Sequence, residues 1–325
     1  MTVLVTGASG HIGSNLVREL IREGRPVRVL IREDCRGVEG LDVEKFKSDI
    51  LDYPNLLRAA QGSEVVYHLA ASISIVGDRT GKVRRTNVAG TNNVVKACFE
   101  AGVKRLVFFS SIHAYSSKPA DCPIDENRAP AGSNAAVYDR TKAEGNRAVL
   151  ESVRKGLDAV IVAPTAVIGP YDFKPSRMGS VLRKIRNQKF VALVGGGYNW
   201  VDVRDVVRGA MRAEKKAPPG AQYILSGKWC TVRKLAEIVH RESGVSLPRF
   251  TAPLWMAGAA APVGEMAARL LHKEPLFTAE AVKTLRSHRQ ISGAKAEQEL
   301  DYNPRPLEET IRDTMTWLEK AGMFD

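Results

Sequence analysis

Cysteine is scarce: Cys35, Cys98, Cys122 and Cys230 are the only four in 325 residues, scattered and without paired spacing. That excludes a disulfide scaffold and a cysteine-rich zinc site, and it fits reduced thiols in a cytoplasmic setting. Long apolar runs are missing as well. The nearest, Pro253 to Leu271, is interrupted by Pro262 and Glu265, and it is shorter than the ~20 residues a spanning helix needs. No integral membrane span is expected, and the run reads as a core or lid segment. No stripe of basic residues interleaved with aromatics occurs, although the formal net charge is +12. Lys and Arg are spread along the whole chain, so nucleic acid is excluded as the main partner, and the charge reads as a solvated surface or an aid in capturing a small anion. Internal repeats and low-complexity segments are absent. Residue 2 already begins an apolar strand, so no signal peptide is expected.

What is present begins at once. Val3, Leu4 and Val5 form a short apolar run typical of a strand buried on both faces. Gly7, Gly10 and Gly13 follow at three-residue intervals. The first permits a tight turn, the second a close backbone approach to phosphate, and the third close packing of a helix on the strand. The helix N-terminus then offers unpaired N–H groups and a positive dipole end to an anion. The spacing is one residue looser than the usual dinucleotide fingerprint. Its place directly after a strand is what favours a dinucleotide pyrophosphate over a merely structural turn.

Short apolar runs then alternate with amphipathic segments. Strands are expected at Val3–Thr6, Val27–Ile31, Val65–Leu69, Arg105–Ser110 and Ala159–Val162, and helices at Ile12–Glu23, Val83–Ala101 and Val137–Lys155. Gly24, Gly102 and Gly156 stand where a glycine closes a helix. This is the pattern of an α/β, doubly wound parallel sheet with right-handed crossovers. From Pro164 the texture changes. Glycine, proline and aromatics cluster in 168–175 and 194–200, which read as loops. Helices are expected at Asp205–Glu214, Val232–Ser243, Thr278–Arg286 and Leu307–Lys320, with Thr231 and Ser292 as N-caps. The expected organisation is a nucleotide-binding domain over 1–165, a return segment near 200–226, and a smaller, mostly helical substrate region over 166–325.

Tyr138 and Lys142 form the one Tyr-x-x-x-Lys pair and share a helix face. An ammonium beside a phenol lowers the phenol's pKa and suits it to acid–base work. Upstream, the strand around Leu106 to Phe109 ends in Ser110 and Ser111. In an open parallel sheet these hydroxyls face the same crevice as the glycine turn.

Together these parts resemble the extended short-chain dehydrogenase/reductase family, within the NAD-dependent epimerase/dehydratase superfamily. The motifs that carry the resemblance run in order: Thr6 to Gly13, Asp49 to Asp52, Val66 to Ala71, Asn87 to Thr91, Ser110-Ser111, Tyr138 to Lys142, and Pro164 to Pro170. Within the family the chain is most similar to bacterial proteins resembling dihydroflavonol 4-reductase. The resemblance implies a Rossmann-type fold and a catalytic set of Ser111, Tyr138 and Lys142, with Ser110 as the fallback. Tyr138 would supply the proton, Lys142 would lower its pKa and hold the nicotinamide ribose, and Ser111 would orient the carbonyl. Gly7, Ser9, Gly10, His11, Ile12 and Gly13 would hold the pyrophosphate, and Asp49 and Ile50 the adenine. Leu69, Ala70, Ala71, Pro164 and Val167 would line the cofactor cleft. Asn87 would brace the fold. A homodimer through the helices at 83–101 and 137–155 is also implied.

Arg32, at the end of the second strand, matches an arginine for the 2′-phosphate of NADP(H), while Glu33 and Asp34 leave NAD(H) open. Two features turn the expectation away from nucleotide sugars. Tyr198 or Asn199 stands where sugar-nucleotide members carry an arginine, and Ile112 and His113 follow the catalytic hydroxyl where 4,6-dehydratases carry Asp and Glu. Tyr115, Tyr171, Phe173, Met178, Tyr198 and Trp200, with Leu254, Trp255 and Met256, would then form an apolar pocket. The expected activity is an NADP(H)-dependent reductase of a hydrophobic ketone or aldehyde. The alternatives are a nucleotide-sugar epimerase or dehydratase with bound NAD, and a non-catalytic NADP-sensing regulator.

Overall fold

The computed structural model describes residues 2–75, 77–190, 192–248, 250–259, 282, 284–285 and 290–323. Seven parallel strands make the main sheet: β1 (Thr2–Thr6), β2 (Val27–Ile31), β3 (Glu44–Lys47), β4 (Ser63–His68), β5 (Arg105–Phe109), β6 (Ala159–Pro164) and, from much later in the chain, Gln222–Leu225. In space the order is the late strand, then β6, β5, β4, β1, β2, β3. The direction of winding therefore reverses between β1 and β4, where a doubly wound sheet opens its ligand crevice.

Side chains alternate across this sheet, as a strand's period of two requires. Val3, Val5, Val29, Tyr67, Val107 and Phe109 enter one core with Leu16 and Leu20 of α1 (His11–Arg22). Leu4, Leu30, Val66, Leu106, Phe108 and Ile161 enter a second core on the opposite face. That core is closed by α2 (Tyr53–Ala60), α4 (Gly90–Glu100) and α5 (Val137–Arg154), with the single turn α3 (Lys82–Arg84) ahead of α4. Each fully buried Val or Leu stabilises by about 1.5–3 kcal/mol, so both faces of the central strands are committed to packing. The expected helix at 83–101 is interrupted: Arg85–Ala89 forms a π turn that carries Asn87 inward. Gly24, Gly102 and Gly156 all adopt the positive φ of helix-closing glycines.

The rest of the chain sends some elements back to the first core and builds a smaller, more helical region. It comprises β7 (Ala166–Ile168), α6 (Arg177–Arg186), β8 (Leu193–Val194), β9 (Gly197–Asp202), α7 (Val203–Lys216), β10 (the late strand of the main sheet), β11 (Lys228–Thr231), α8 (Val232–Ser243), β12 (Thr251–Ala252), α9 (Ala294–Leu300) and α10 (Leu307–Lys320). Its core gathers Ile168, Leu182, Trp200, Leu235, Val239 and Ile311. Two sequence expectations change here. Residues 197–200, read as loop, are the start of β9, because Tyr198 and Trp200 pair with Cys230 and Lys228 of β11. Thr231 caps α8 by accepting from Lys234 N–H, as expected, but α9 starts after Gly293, with Ser292 one residue too early to be its N-cap. The helix expected at Thr278–Arg286 lies largely outside the described residues. Among the described residues no helix is long and apolar enough to cross a membrane.

Candidate active site

The crevice at the β1–β4 reversal is floored by backbone. Gly7 has φ +72°, and a side chain there would meet the Ala70 amide nitrogen at 2.6 Å. A Cβ at Gly13 would collide with the Gly7 carbonyl, so these two glycines are required by packing. Gly10 is different: a Cβ would meet only the Gly7 oxygen, at 3.3 Å, so its outer side is open. α1 begins at Gly10 without a side-chain cap. The first-turn amides therefore have no intrahelical acceptor and face a ligand with the positive end of the helix. These are the properties of a cradle for a pyrophosphate, and the residues present fit a dinucleotide.

Around the cradle, Ile50 is buried against Gly90, and its carbonyl accepts from Asn93 Nδ2 at 3.0 Å. Leu69 and Ala70 are half-buried and Ala71 is exposed at the carboxyl end of β4. Pro164 ends β6 in the core, and Val167 pairs with Val201 across the small sheet. His11 turns its ring away from the cradle, onto the carbonyls of Gly169 and Pro170, so among its groups only the backbone belongs to the phosphate turn. Arg32 is exposed, with Nη1 3.5 Å from Asp49 Oδ2. Next to it, Arg36 holds the Asp34 carboxyl down at about 2.

Ser110 and Ser111 follow β5, and the first turn of α5 brings Tyr138 over them. Ser111, not Ser110, acts on the Tyr138 phenol and favours its ionisation; the Ser110 hydroxyl is buried with no partner among the described residues. His113 N–H donates to Ser111 Oγ at 3.2 Å and fixes that hydroxyl from below. Lys142 is buried. Its Nζ donates to the Phe109 carbonyl at 2.7 Å and lies 5.0 Å over the Phe108 ring. Burial pushes its ammonium down to about 7. Burial likewise pushes the Tyr138 phenol up to about 12, with Ser111 pulling the other way and Asp139 adding to the rise. The expected lysine-lowered phenol is thus not what this arrangement shows. The amine is engaged by a main-chain carbonyl, and its charge is itself disfavoured by burial.

A second layer was not singled out from the sequence. Thr91 Oγ1 donates to the Asn87 carbonyl, so His68 Nε2 must donate to Thr91 at 3.1 Å, and His68 Nδ1 accepts from Thr6 Oγ1 at 2.7 Å. His68 is neutral in this chain of bonds: burial, then Lys142, push it down to about 3. Asn87 braces the fold as expected, bonding Ser72 on both main-chain groups and Thr141 Oγ1. The signal in the sequence was a histidine inside an apolar strand run. His113 Nδ1 lies 3.0 Å from Asp139 Oδ1, and its ring stands edge-on to Tyr138.

Among the described residues the expected apolar pocket is not assembled. Trp200 is buried, with Nε1 donating to the Cys230 carbonyl, and Tyr198 packs edge-on against it in the core of the small region. Tyr115 is buried in another cluster. Tyr171 and Phe173 stack with Trp317 and Arg18 on the side of α1. Met178 joins the same core as Trp200. These side chains were needed to close hydrophobic cores. Trp255 and Met256 stand exposed, and the remainder of the run to Leu271 lies outside the described residues.

Comparison with known proteins sets these features in context. Sterol demethylase protein B of Methylococcus capsulatus is 32% identical over the full length of both chains. The crystal structure of gox2253 matches with a TM-score of 0.86 at 30% identity, covering 100% of this chain and 99% of that one. MoeE5 in complex with UDP-glucuronic acid and NAD shares the fold at a TM-score of 0.78 and 23% identity, over 99% and 100% of the two chains. UDP-glucuronic acid 4-epimerase from Bacillus cereus, of the same fold, is likewise described with NAD. The expectation of an NADP(H)-dependent reductase of hydrophobic ketones or aldehydes is overturned by these NAD-bound, sugar-nucleotide structures. The physical reason lies at Arg32 and in the missing pocket. Asp49 already faces the guanidinium that would take a 2′-phosphate, while the aromatics are spent in cores. The model of the NAD dependent epimerase/dehydratase family matches residues 3–225, and the chain belongs to that family.

Proposed function

We propose that the chain binds NAD(H) and acts on a CH–OH or C=O carbon of a nucleotide sugar, as an epimerase or dehydratase. The observation that carries the reading is that Ser111, Tyr138 and buried Lys142 meet at the carboxyl edge of β5, with Lys142 on the Phe109 carbonyl and both Ser111 and Tyr138 against His113. The turn from Gly7 through Ser9 to Gly13 would hold the pyrophosphate. Asp34, kept ionised by Arg36, would accept from an adenosine ribose hydroxyl. Asp49 and Ile50 would meet the adenine, and Leu69, Ala70, Ala71, Pro164 and Val167 would line the cleft. Bound NAD(H) supplies the hydride acceptor and donor for the substrate carbon. Ser111 Oγ fixes the substrate oxygen. Tyr138, as its phenolate, would take the hydroxyl proton when CH–OH is oxidised and return it when C=O is reduced; burial, which raises its pKa, makes that phenolate a strong base. Lys142 carries a titrating amine near neutral pH and would reach the nicotinamide ribose.

The bound NAD and UDP-sugars of proteins with this fold support the substrate class. Tyr198 and Asn199 are committed to packing, with Asn199 Oδ1 holding Thr165 and Gly227. The helix α6, with Arg177, Arg183, Lys184 and Arg186 along it, would bring positive charge to the diphosphate. The division at about residue 165, with 200–226 returning to the first unit, belongs to the same reading.

The test is to release cofactor from the purified protein by denaturation, identify it, and follow UDP- and dTDP-sugars by NMR. Recovered NAD and an altered sugar without net NADH are expected, and Tyr138→Phe should lower the rate about a thousandfold. Net NADH from a sterol alcohol, with sugars untouched, would overturn the sugar-nucleotide class. Full turnover in Tyr138→Phe would remove Tyr138 from the chemistry.

A further inference from the structure

The turn that leaves β7 is gripped by α1 in an unusual way. Its three successive main-chain carbonyls, at residues 169, 170 and 171, are each taken by side chains of one helix. His11 Nε2 lies 3.1 Å from the carbonyl oxygens of both Gly169 and Pro170. Both are acceptors, so Nε2 carries the ring proton. Asn15 Nδ2 donates to the Pro170 carbonyl at 3.0 Å, and Ser14 Oγ to the Tyr171 carbonyl at 2.8 Å. One turn later Arg18 lies over the rings of Tyr171 at 4.6 Å and Phe173 at 5.2 Å. The turn is not one the chain would hold unaided, since Tyr171 has φ 62° and Gly169 φ 144°.

The grip continues beyond the turn. Asp172 is buried, and its carboxylate accepts from Ser176 N–H at 3.0 and 2.8 Å. Ser176 Oγ in turn caps α6 by accepting from Gly179 N–H at 3.0 Å. A continuous set of hydrogen bonds therefore runs from the first turn of α1, through residues 169–172, to the start of α6. His11 is the residue immediately after the open glycine, Gly10, of the phosphate cradle.

We propose that His11, Ser14 and Asn15 are positioning residues that couple the phosphate cradle to the segment 169–180, so that a dinucleotide on the glycine turn steadies the segment leading into the basic helix α6. The proposal rests on the NAD(H) reading above. Ligand on the first-turn amides restrains α1 at the residues that hold the three carbonyls. Losing one donor leaves a carbonyl of a strained turn to be satisfied by water, and the restraint no longer passes on.

The experiment is hydrogen–deuterium exchange of the full chain, with and without NADH, in wild type, Ser14→Ala and Asn15→Ala, alongside NADH titration by fluorescence. In wild type NADH should slow exchange across 169–180 about fivefold or more. Each variant should bind NADH with affinity within about threefold of wild type, yet lose most of that slowing. If the variants raise exchange equally with and without NADH and keep the same ratio, the residues are packing alone and the proposal fails. It fails also if wild type binds NADH and shows no slowing. A folded wild type that does not bind NADH overturns the cofactor reading itself, which the titration reveals separately. Ser14→Ala is the smaller change and keeps the test decisive should Asn15→Ala fail to fold.

Discussion

Two places in this molecule bury charge, and they do so in opposite ways. At the start of α7, Asp202 takes three hydrogen bonds from Arg204, while Asp205 takes the main chain and guanidinium of Arg305 at 2.8–3.1 Å. Burial opposes the ionisation of Asp202, but Arg204 and Arg305 outweigh it and hold the carboxyl below its ordinary range. At the edge of β5, Lys142 is equally hidden at 4% exposure, but among the described residues its amine meets a carbonyl and a ring face and no carboxylate. In the first place opposite charges fix every proton where it is. In the second a neutral partner leaves the proton loose, and the group titrates where water-exposed lysines do not. Paired burial ties α7 to the segment before α10; unpaired burial lies at the proposed active site.

The sharpest way to break the comparison is Asp205→Ala. It leaves Arg305 buried without its main partner, and we expect a loss of about 3–5 kcal/mol in urea unfolding. A loss below about 1 kcal/mol would show that the network is no more than a surface ion pair.

Lys142→Met tests the other side. The native amine, pushed down to about 7 from 10.5, binds fewer protons than the unfolded chain between those values. Wild-type stability should therefore rise with pH across that window, by up to ~1.4 kcal/mol per pH unit relative to Lys142→Met. Below pH 7 the lysine is charged in both states, and the difference from the methionine variant should be constant. Two parallel profiles from pH 7 to 10 would contradict the unpaired burial.

The smallest effect belongs to a third kind of charge, the exposed pair of Arg32 and Asp49, at 64% and 38% side-chain exposure. Arg32→Ala should change stability by less than about 1 kcal/mol and NADH affinity by less than about threefold. A large loss of affinity would give Arg32 a binding role that its carboxylate neighbour argues against.

Legibility in the sequence followed burial. β2 and the helices at Val232–Ser243 and Leu307–Lys320 stand where periodicity puts them, because a strand covered on both faces and a helix with one apolar stripe each leave a strong pattern. β3 was not visible: its sequence EKFK is mostly exposed at the sheet edge and carries no apolar run. β9 was hidden by the glycines before it. These read as loop, yet Gly197 is the first residue of the strand and leaves no room for a side chain beside Cys230. At the site, Tyr138 and Lys142 were visible from spacing. The state of their protons was not, since it depends on how far water is excluded and on the Phe109 carbonyl, a main-chain group that no residue letter encodes. The aromatics misled because an aromatic in a loop-like stretch looks the same whether it faces a ligand or a core.

The seventh strand of the main sheet carries a consequence for anyone who would divide this chain. β10 is hydrogen-bonded to β6 by residues 222–225, and α7, which precedes it, covers part of the first core through Val206, Val207 and Ala210. A fragment ending near residue 165 would keep six strands but expose β6 as a bare, wholly apolar edge. Such an edge recruits a neighbouring chain as readily as its own missing strand. The polypeptide folds back to seal its first half, so its two regions are one unit of solubility.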